Sequence, residues 1–364
     1  MKKFPLILSL ILIFSLLAGC AGTPVIYYTE CDCPEGAHTN VEAPAAPIET
    51  VPPAAPAEGA LKTGLCISTS LQKSISATAE TDGKADYDMT MVAVLVDDNG
   101  VIRECIIDGI ASSISFDANG AFIGELTEGP QTKNELGENY GMVAWGGAIA
   151  EWDAQAAVLA EFAVGKTVEE LKSGAVSENG YAPEGSDLAT SATIYLGGYV
   201  AAIEAAVANA QHLGAQVGDT LKMAAITGIS DSTTATTDSN GNAQLNADVV
   251  ALTMNGETIT SCLIDSVQAK VAFDATGTIT SDVAASVATK NQLGENYGMV
   301  AWGGAIAEWN EQVASFAAYI TGKTAAEVSG IAITEATKPA DADLAASVTI
   351  SIIGFMNLIA KACQ

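Results

Sequence analysis

The sequence predicts an α+β protein made of two tandem repeats, each an antiparallel sheet with packed helices. Residues 133 to 152 read KNELGENYGMVAWGGAIAEW and residues 290 to 309 read KNQLGENYGMVAWGGAIAEW, so they differ only at Glu135 against Gln292. Such self-similarity sets the number of structural units. Around each stretch, β-branched and apolar runs come first and helix-patterned segments follow, which is the order of an α+β domain. Flanking matches keep the register: Cys105 with Cys262, Phe116 with Phe273, Gly165-Lys166-Thr167 with Gly322-Lys323-Thr324, and DLATSATI from Asp187 with DLAASVTI from Asp343. The chain thus divides into a leader at 1–19, a stalk at 20–60 and repeats at 61–211 and 212–364, each near the common size of a domain.

Lys2 and Lys3 precede an apolar run from Phe4 to Leu16 and then Leu17-Ala18-Gly19-Cys20. A basic start, a short apolar stretch and small residues before a cut site describe a secretory signal. Its ending resembles the bacterial lipobox, which makes Cys20 the expected lipidated first residue of the mature protein. No later segment reaches the roughly 18 apolar residues of a membrane span, so the expected localisation is the extracytoplasmic face of the cell membrane, held in the bilayer by lipid. Pro44, Pro47, Pro52, Pro53 and Pro56 crowd the stalk, and such composition favours an extended, semi-rigid spacer.

The formal net charge is −28. Nucleic acid and anionic headgroups need clusters of Lys and Arg, so neither is an expected partner. The seven cysteines form no paired ligand set, and the only histidines are His38 and His212, so no metal site is expected. Cys31 and Cys33 sit in the stalk as a Cys-x-Cys pair open to oxidation or weak metal binding, whereas Cys105 and Cys262 fall on apolar strand patterns and read as core thiols.

Each repeat opens with strands. MTMVAVLVDDNGVIRECIIDGI from Met89 and VVALTMNGETITSCLIDSV from Val249 are apolar runs around Asp98-Asn99-Gly100 and Asn255-Gly256, a strong hairpin signal. SISFDANGAFIG from Ser113 and KVAFDATGTITS from Lys270 predict a second pair, giving four strands per repeat. After the Leu136-to-Gly141 loop, Trp145, Ile149, Trp152, Ala156 and Leu159 recur at the spacing of one helical face. A further helix is expected from about Ser186 to Ala210, with Ile194, Val200, Ile203 and Val207 on one side.

Neither repeat's central stretch holds a histidine, and the chain has no Gly-x-x-x-x-Gly-Lys loop and no His-Glu-x-x-His. Acidic residues are plentiful, but no spacing marks a catalytic pair. The remaining candidates are the hydroxyl-rich segments that open the last helix of each repeat: Asp187, Thr190, Ser191 and Thr193, and Asp343, Ser347 and Thr349. A helix start suits a phosphate, and it is equally served by simple N-capping.

The order of hairpin strands, a Thr-x-x-x-Leu-Gly loop, a Trp-bearing helix ending in Gly-Lys-Thr, and Asp-x-x-x-Ser-x-Thr resembles the FMN-binding domain family. That family includes flavin-carrying subunits of the Rnf and Nqr complexes and extracytoplasmic lipoproteins. The resemblance spans residues 61 to 364. It implies FMN joined through a phosphoester to Thr193 and Thr349, up to one per repeat, with a flavin transferase and a membrane redox donor as partners. Where the family has Ser-Gly-Ala-Thr, this chain has Thr190-Ser191-Ala192-Thr193 and Ala346-Ser347-Val348-Thr349. The loop of Leu136 and Gly137, and that of Leu293 and Gly294, resembles the family's ring-side segment. Tyr140 with Met142, and Tyr297 with Met299, would flank a flat ring or pack in the core. The implied function is electron transfer by a bound cofactor rather than catalysis by side chains. The alternative is a flavin-free lipoprotein that binds a ligand or a surface through its repeated loop.

Overall fold

The computed structural model describes residues 59–364; the leader, Cys20, Cys31, Cys33 and nearly all of the stalk lie outside them. The strands of the first half are β1 (Lys62–Ser70), β2 (Gly83–Val96), β3 (Ile102–Phe116) and β4 (Phe122–Ile123). They form one antiparallel sheet in sequential order. Helices α1 (Lys133–Leu136), α2 (Met142–Gly146), α3 (Trp152–Ala163), α4 (Val168–Ala175), α5 (Asp187–Ser191) and α6 (Gly197–Ala208) follow. The second half has a three-stranded antiparallel sheet of β5 (Thr220–Gly228), β6 (Gly241–Asn255) and β7 (Thr258–Phe273). Its helices are α7 (Lys290–Leu293), α8 (Met299–Gly303), α9 (Trp309–Ile320), α10 (Ala325–Ser329), α11 (Ala342–Ala345) and α12 (Ile353–Ala362). No described helix is long and apolar enough to cross a membrane.

The hairpin turns fall where Asn-Gly predicts them, with Gly100 at φ 77° and Gly256 at φ 58°. The first half has the expected four strands and the second half three, but they are not cut from the sequence as expected. The segment from Ser113 continues β3, which pairs with β2 from Ile102 to Phe116, and then turns back to pair Ser115 and Phe116 with the two-residue β4, so the expected second hairpin is present but short. In the second half the matching return is a single bridge of Phe273 to Ile279. β1 and β5, which no turn signal announced, complete the sheets through nine-residue pairings with β2 and β6.

Alternation along β2 explains the layering. Tyr87, Met89, Met91, Ala93 and Leu95 point into a core shared with Leu245, Ala247, Val249 and Ala251 of β6. At its centre Phe116 and Phe273 stack with centroids 4.0 Å apart and planes within 3°. The two sheets therefore pack face to face. On the outer face of β2, Val92, Val94 and Val96 lie under α3 and α6, and Val250 and Leu252 of β6 lie under α9 and α12. The layers run helix, sheet, sheet, helix. Towards the start of β2 the outer face turns polar, at Asp86, Asp88 and Thr90, and a cleft opens there.

Both long helices expected from periodicity are broken. Trp145 belongs to the short α2, which ends at Gly147 with φ 63°, and α3 starts anew at Trp152. Trp152, Ala156 and Leu159 are buried, whereas Trp145 is 90% and Ile149 58% exposed. The helix expected from Ser186 to Ala210 is likewise two, α5 and α6, separated by residues 192–196.

Candidate functional site

The site is built on a buried carboxylate. Asp108, on β3, accepts hydrogen bonds from the backbone N–H of Gly109 at 2.7 Å and of Asn134 at 3.0 Å, while Asn134 Nδ2 donates to the Ile107 carbonyl at 3.0 Å. These bonds pin α1 to the β3 edge. Thr132 and Glu135 close a reciprocal cap on the same turn. Burial raises the Asp108 pKa, opposed by hydrogen bonds from Thr132, Asn134 and Gly109.

Pinning α1 drives Lys133 inward. Its side chain is buried, with 6% of the residue exposed, and its Nζ lies 4.8 Å from the Trp152 ring centroid and 5.4 Å from that of Tyr140. None of the ion pairs among the described residues includes it. Cation–π attraction contributes about 0.5–2 kcal/mol, which offsets only part of the cost of burying a charge. Burial accordingly holds the Lys133 pKa below its ordinary value, with Asp88 pulling it back up.

Lys133 faces a cleft of about 490 Å³, within the range of small-molecule sites. Its floor is the polar outer face of β1 and β2: Ser68, Ser70 and Thr90, with Lys73 paired to Asp88 at 2.7 Å. Tyr140, Met142, Trp152 and Tyr199 form the walls. Trp152 Nε1 donates to Tyr199 Oη at 2.9 Å and the rings meet edge to face. Gly198 in the first turn of α6 also lines the cleft, and first-turn N–H groups have no carbonyl within their own helix.

Of the residues predicted from sequence, the structure brings Tyr140 and Met142 to this cleft. Leu136 and Gly137 shape the turn instead, Gly137 taking φ 47°. Asp187, Thr190 and Ser191 are exposed on α5, whose start is capped by Ser186 Oγ accepting from Ala189 N–H. Thr193 is not at a helix start but between α5 and α6. Its N–H and hydroxyl donate to Oε1 of the fully buried Gln155, at 2.8 and 3.2 Å, and the Ile194 N–H joins them at 3.2 Å. The N–H groups expected to hold a phosphate there are thus already bonded. Thr193 is exposed beside Ile194, which lines the cleft. Lys133 and Gln155 escaped the sequence reading, whereas α6 lies within the helix expected from Ser186 to Ala210 and only its start at Gly197 was missed.

The second half repeats the scaffold. Asp265 holds the N–H groups of Ser266 and Asn291, and Lys290 Nζ lies 4.7 Å from the Trp309 centroid and 5.3 Å from that of Tyr297. Thr349 donates its N–H and hydroxyl to the buried Gln312 Oε1 at 2.8 and 3.1 Å. Leu293 and Gly294 form the turn, Met299 packs against the helix-side core with Tyr297, and Asp343 and Ser347 lie away on α11 and just beyond it. Asp341, not Asp343, caps α11, accepting from the N–H groups of Asp343 and Leu344.

Two further surfaces are duplicated. Apolar grooves lie beside Cys105 and α3, and beside Cys262 and α9, with volumes of about 450 and 350 Å³. Burial pushes the Cys105 thiol up to about 12. Val143, Trp145 and Ile149, and their counterparts Val300, Trp302 and Ile306, project into solvent. The carboxylates of Glu151 and Glu308 are turned inward to bond the N–H groups of Met142 and Val143 and of Met299 and Val300. No family model, curated protein or solved structure matches this chain.

Proposed function

We propose that this chain is a lipid-anchored, extracytoplasmic FMN protein that passes electrons between a membrane donor and an external acceptor, and that its halves are two copies of one unit. The observation that carries the reading is the Lys133 ammonium, buried between Tyr140 and Trp152, in no ion pair among the described residues, and open to a cleft. A chain with net charge −28 keeps an uncompensated cation there for an anionic ligand, and the aromatic walls favour one with a flat ring. FMN combines both. Lys133 and Lys73 would counter its phosphate, while Tyr140, Met142 and Trp152 would flank its ring. Bound flavin supplies the electron transfer; the chain's own residues bind, orient and shield it. The exposed Thr193, oriented by Gln155, is the hydroxyl for covalent attachment. In support of two copies, each half has the same order of Asp–Asn pin, capped turn, aromatic–lysine cluster and Gln–Thr link.

One observation favours a second reading, a flavin-free surface-interaction lipoprotein: the exposed, uncharged tips at Trp145 and Trp302. Absorption spectra and intact mass of protein made with its native secretion machinery separate the two. Flavin bands, with an added FMN mass that Thr193→Ala removes, are expected of the first reading. A colourless, folded protein that neither carries nor takes up FMN would leave the second.

A further inference from the structure

The two clefts share a scaffold but not a lining, and the differences concern charge and space. Strand pairing fixes the equivalences. Ser68 pairs with Thr90 as Ile226 pairs with Asp248, and Ser70 pairs with Asp88 as Gly228 pairs with Asn246. Just after β1, Lys73 bonds Asp88 at 2.7 Å, whereas at the matching place after β5 Asp231 accepts from Asn246 Nδ2 at 2.6 Å. A lysine has become an aspartate. Thr90 has become Asp248, which draws the Lys290 pKa up against the lowering by burial. Lys270, exposed on β7, is the other cation in reach of Lys290. On the first half's polar face Lys73, Lys84 and Lys133 stand against Asp86 and Asp88, Lys84 pairing Asp86 at 2.7 Å and Lys73 pairing Asp88, which leaves one cation in excess. In the second half Asn242 and Gln244 replace Lys84 and Asp86, and Asp231 and Asp248 balance Lys290 and Lys270. Asp108 and Asp265 stand equivalently in both and cancel from the comparison.

Space changes in the same direction. Ile226 stands where Ser68 does, and packs with Tyr297 and Met299 against the helix-side core. Phe355 replaces Tyr199 and meets Trp309 at 6.0 Å without a hydroxyl to offer. At the helix start, Gly197 of α6 is matched by Ile353 of α12.

We infer that the first cleft alone binds a flat, phosphate-bearing ligand, with Lys133 as its specificity-determining cation, and that the second is its filled and charge-balanced counterpart. The inference deepens the flavin reading and rests on the same cleft, but its ligand class is wider: any aromatic phosphomonoester of suitable size.

The test is calorimetric titration of the intact mature protein, made without a flavin transferase so that no FMN is attached, with FMN, riboflavin and 1-naphthyl phosphate. One site per chain is expected, with riboflavin weaker than FMN. Lys133→Met, which keeps the buried stem, should weaken the phosphate ligands about tenfold or more, as loss of a charge-assisted contact entails, and Lys290→Met should leave them unchanged. Because a variant at a buried position can misfold, Ser68→Ile provides a second route. Ser68 is exposed, so installing the second half's residue there should block binding without altering the melting curve. Two equal sites, or equal loss in Lys290→Met, would overturn the inference while leaving the flavin reading intact. Binding of 1-naphthyl phosphate but not FMN at one Lys133-dependent site would keep the inference and remove the flavin reading. No binding of any probe overturns both.

Discussion

Gln155 is the joint on which the candidate site turns, and replacing it by leucine tests the joint with little change in volume. Its Oε1 collects the N–H groups of Thr193 and Ile194 and the Thr193 hydroxyl, and its Nε2 donates to the Ala150 carbonyl at 2.8 Å. One buried side chain thus ties α3 to the exposed tip and to the segment between α5 and α6. In Gln155→Leu the Thr193 hydroxyl, being exposed, turns to water at little cost. Two N–H groups and one carbonyl lose their partners, at about 1 kcal/mol each for partly buried groups, and burial of the leucine offsets part of this. The net expectation is a loss of about 2–3 kcal/mol, or a Tm lower by about 3–5 °C for a protein of this size. Thr193→Ala, which keeps the N–H, should cost about 0.5 kcal/mol or less. Urea unfolding followed by tryptophan fluorescence and circular dichroism measures both. A Gln155→Leu protein within 0.5 kcal/mol of the parent would show that Gln155 does not hold the segment, and with it would go the claim that Thr193 is held in place.

The shared core predicts one unfolding transition: Phe273→Ala, which removes half of the Phe116–Phe273 stack, should cost about 3–5 kcal/mol and shift the signals of both halves together, whereas two separated transitions would refute a common core. pH should act through two opposed pairs. Burial raises Asp108 and Asp265 above the model-compound value of 3.8, so the native state binds more protons there and stability falls as pH rises from about 3.8 through the native values; a paired Asp108→Asn and Asp265→Asn protein should lose that slope in urea midpoints, and parallel curves would sink the assignment. Burial lowers Lys133 and Lys290 below 10.5, so between their native values and 10.5 the unfolded chain binds more protons and stability should rise with pH.

What the sequence discloses and what it hides divide along the range of the interactions. Hairpin turns are local, and Asp98-Asn99-Gly100 and Asn255-Gly256 were legible because a glycine at positive φ closes each. Trp152, Ala156 and Leu159 were legible as one buried face. Trp145 and Ile149 match the same periodicity, but Gly146-Gly147 breaks the helix before they can share that face. Lys133 was not legible, since a lysine ordinarily stays in water, and only the Asp108–Asn134 pin, between residues 26 apart in sequence, turns it inward. Gln155 is hidden for the same reason, its partners being 38 and 39 residues away.

The near-identity of the two central stretches has a physical meaning that sequence left open between packing and ligand. Packing would keep buried residues alike, yet just beyond the stretch the matching buried positions differ: Leu159 corresponds to Phe316, Ala156 to Val313 and Ala163 to Ile320, all buried. The unchanged residues from Val143 to Gly147 are exposed in both halves. The single difference, Glu135 against Gln292, falls where the halves touch, since Glu135 pairs with Lys361 at the end of α12. Core residues drift in concert because volume can be traded among neighbours; an exposed tip has no neighbour to trade with. Packing therefore does not account for the likeness of the tips, while the differences in the cleft lining, Lys73 against Asp231 and Ser68 against Ile226, lie just after and on the strands beneath. The halves thus share one outward surface and differ in the residues that line the cleft of the first half and their counterparts in the second.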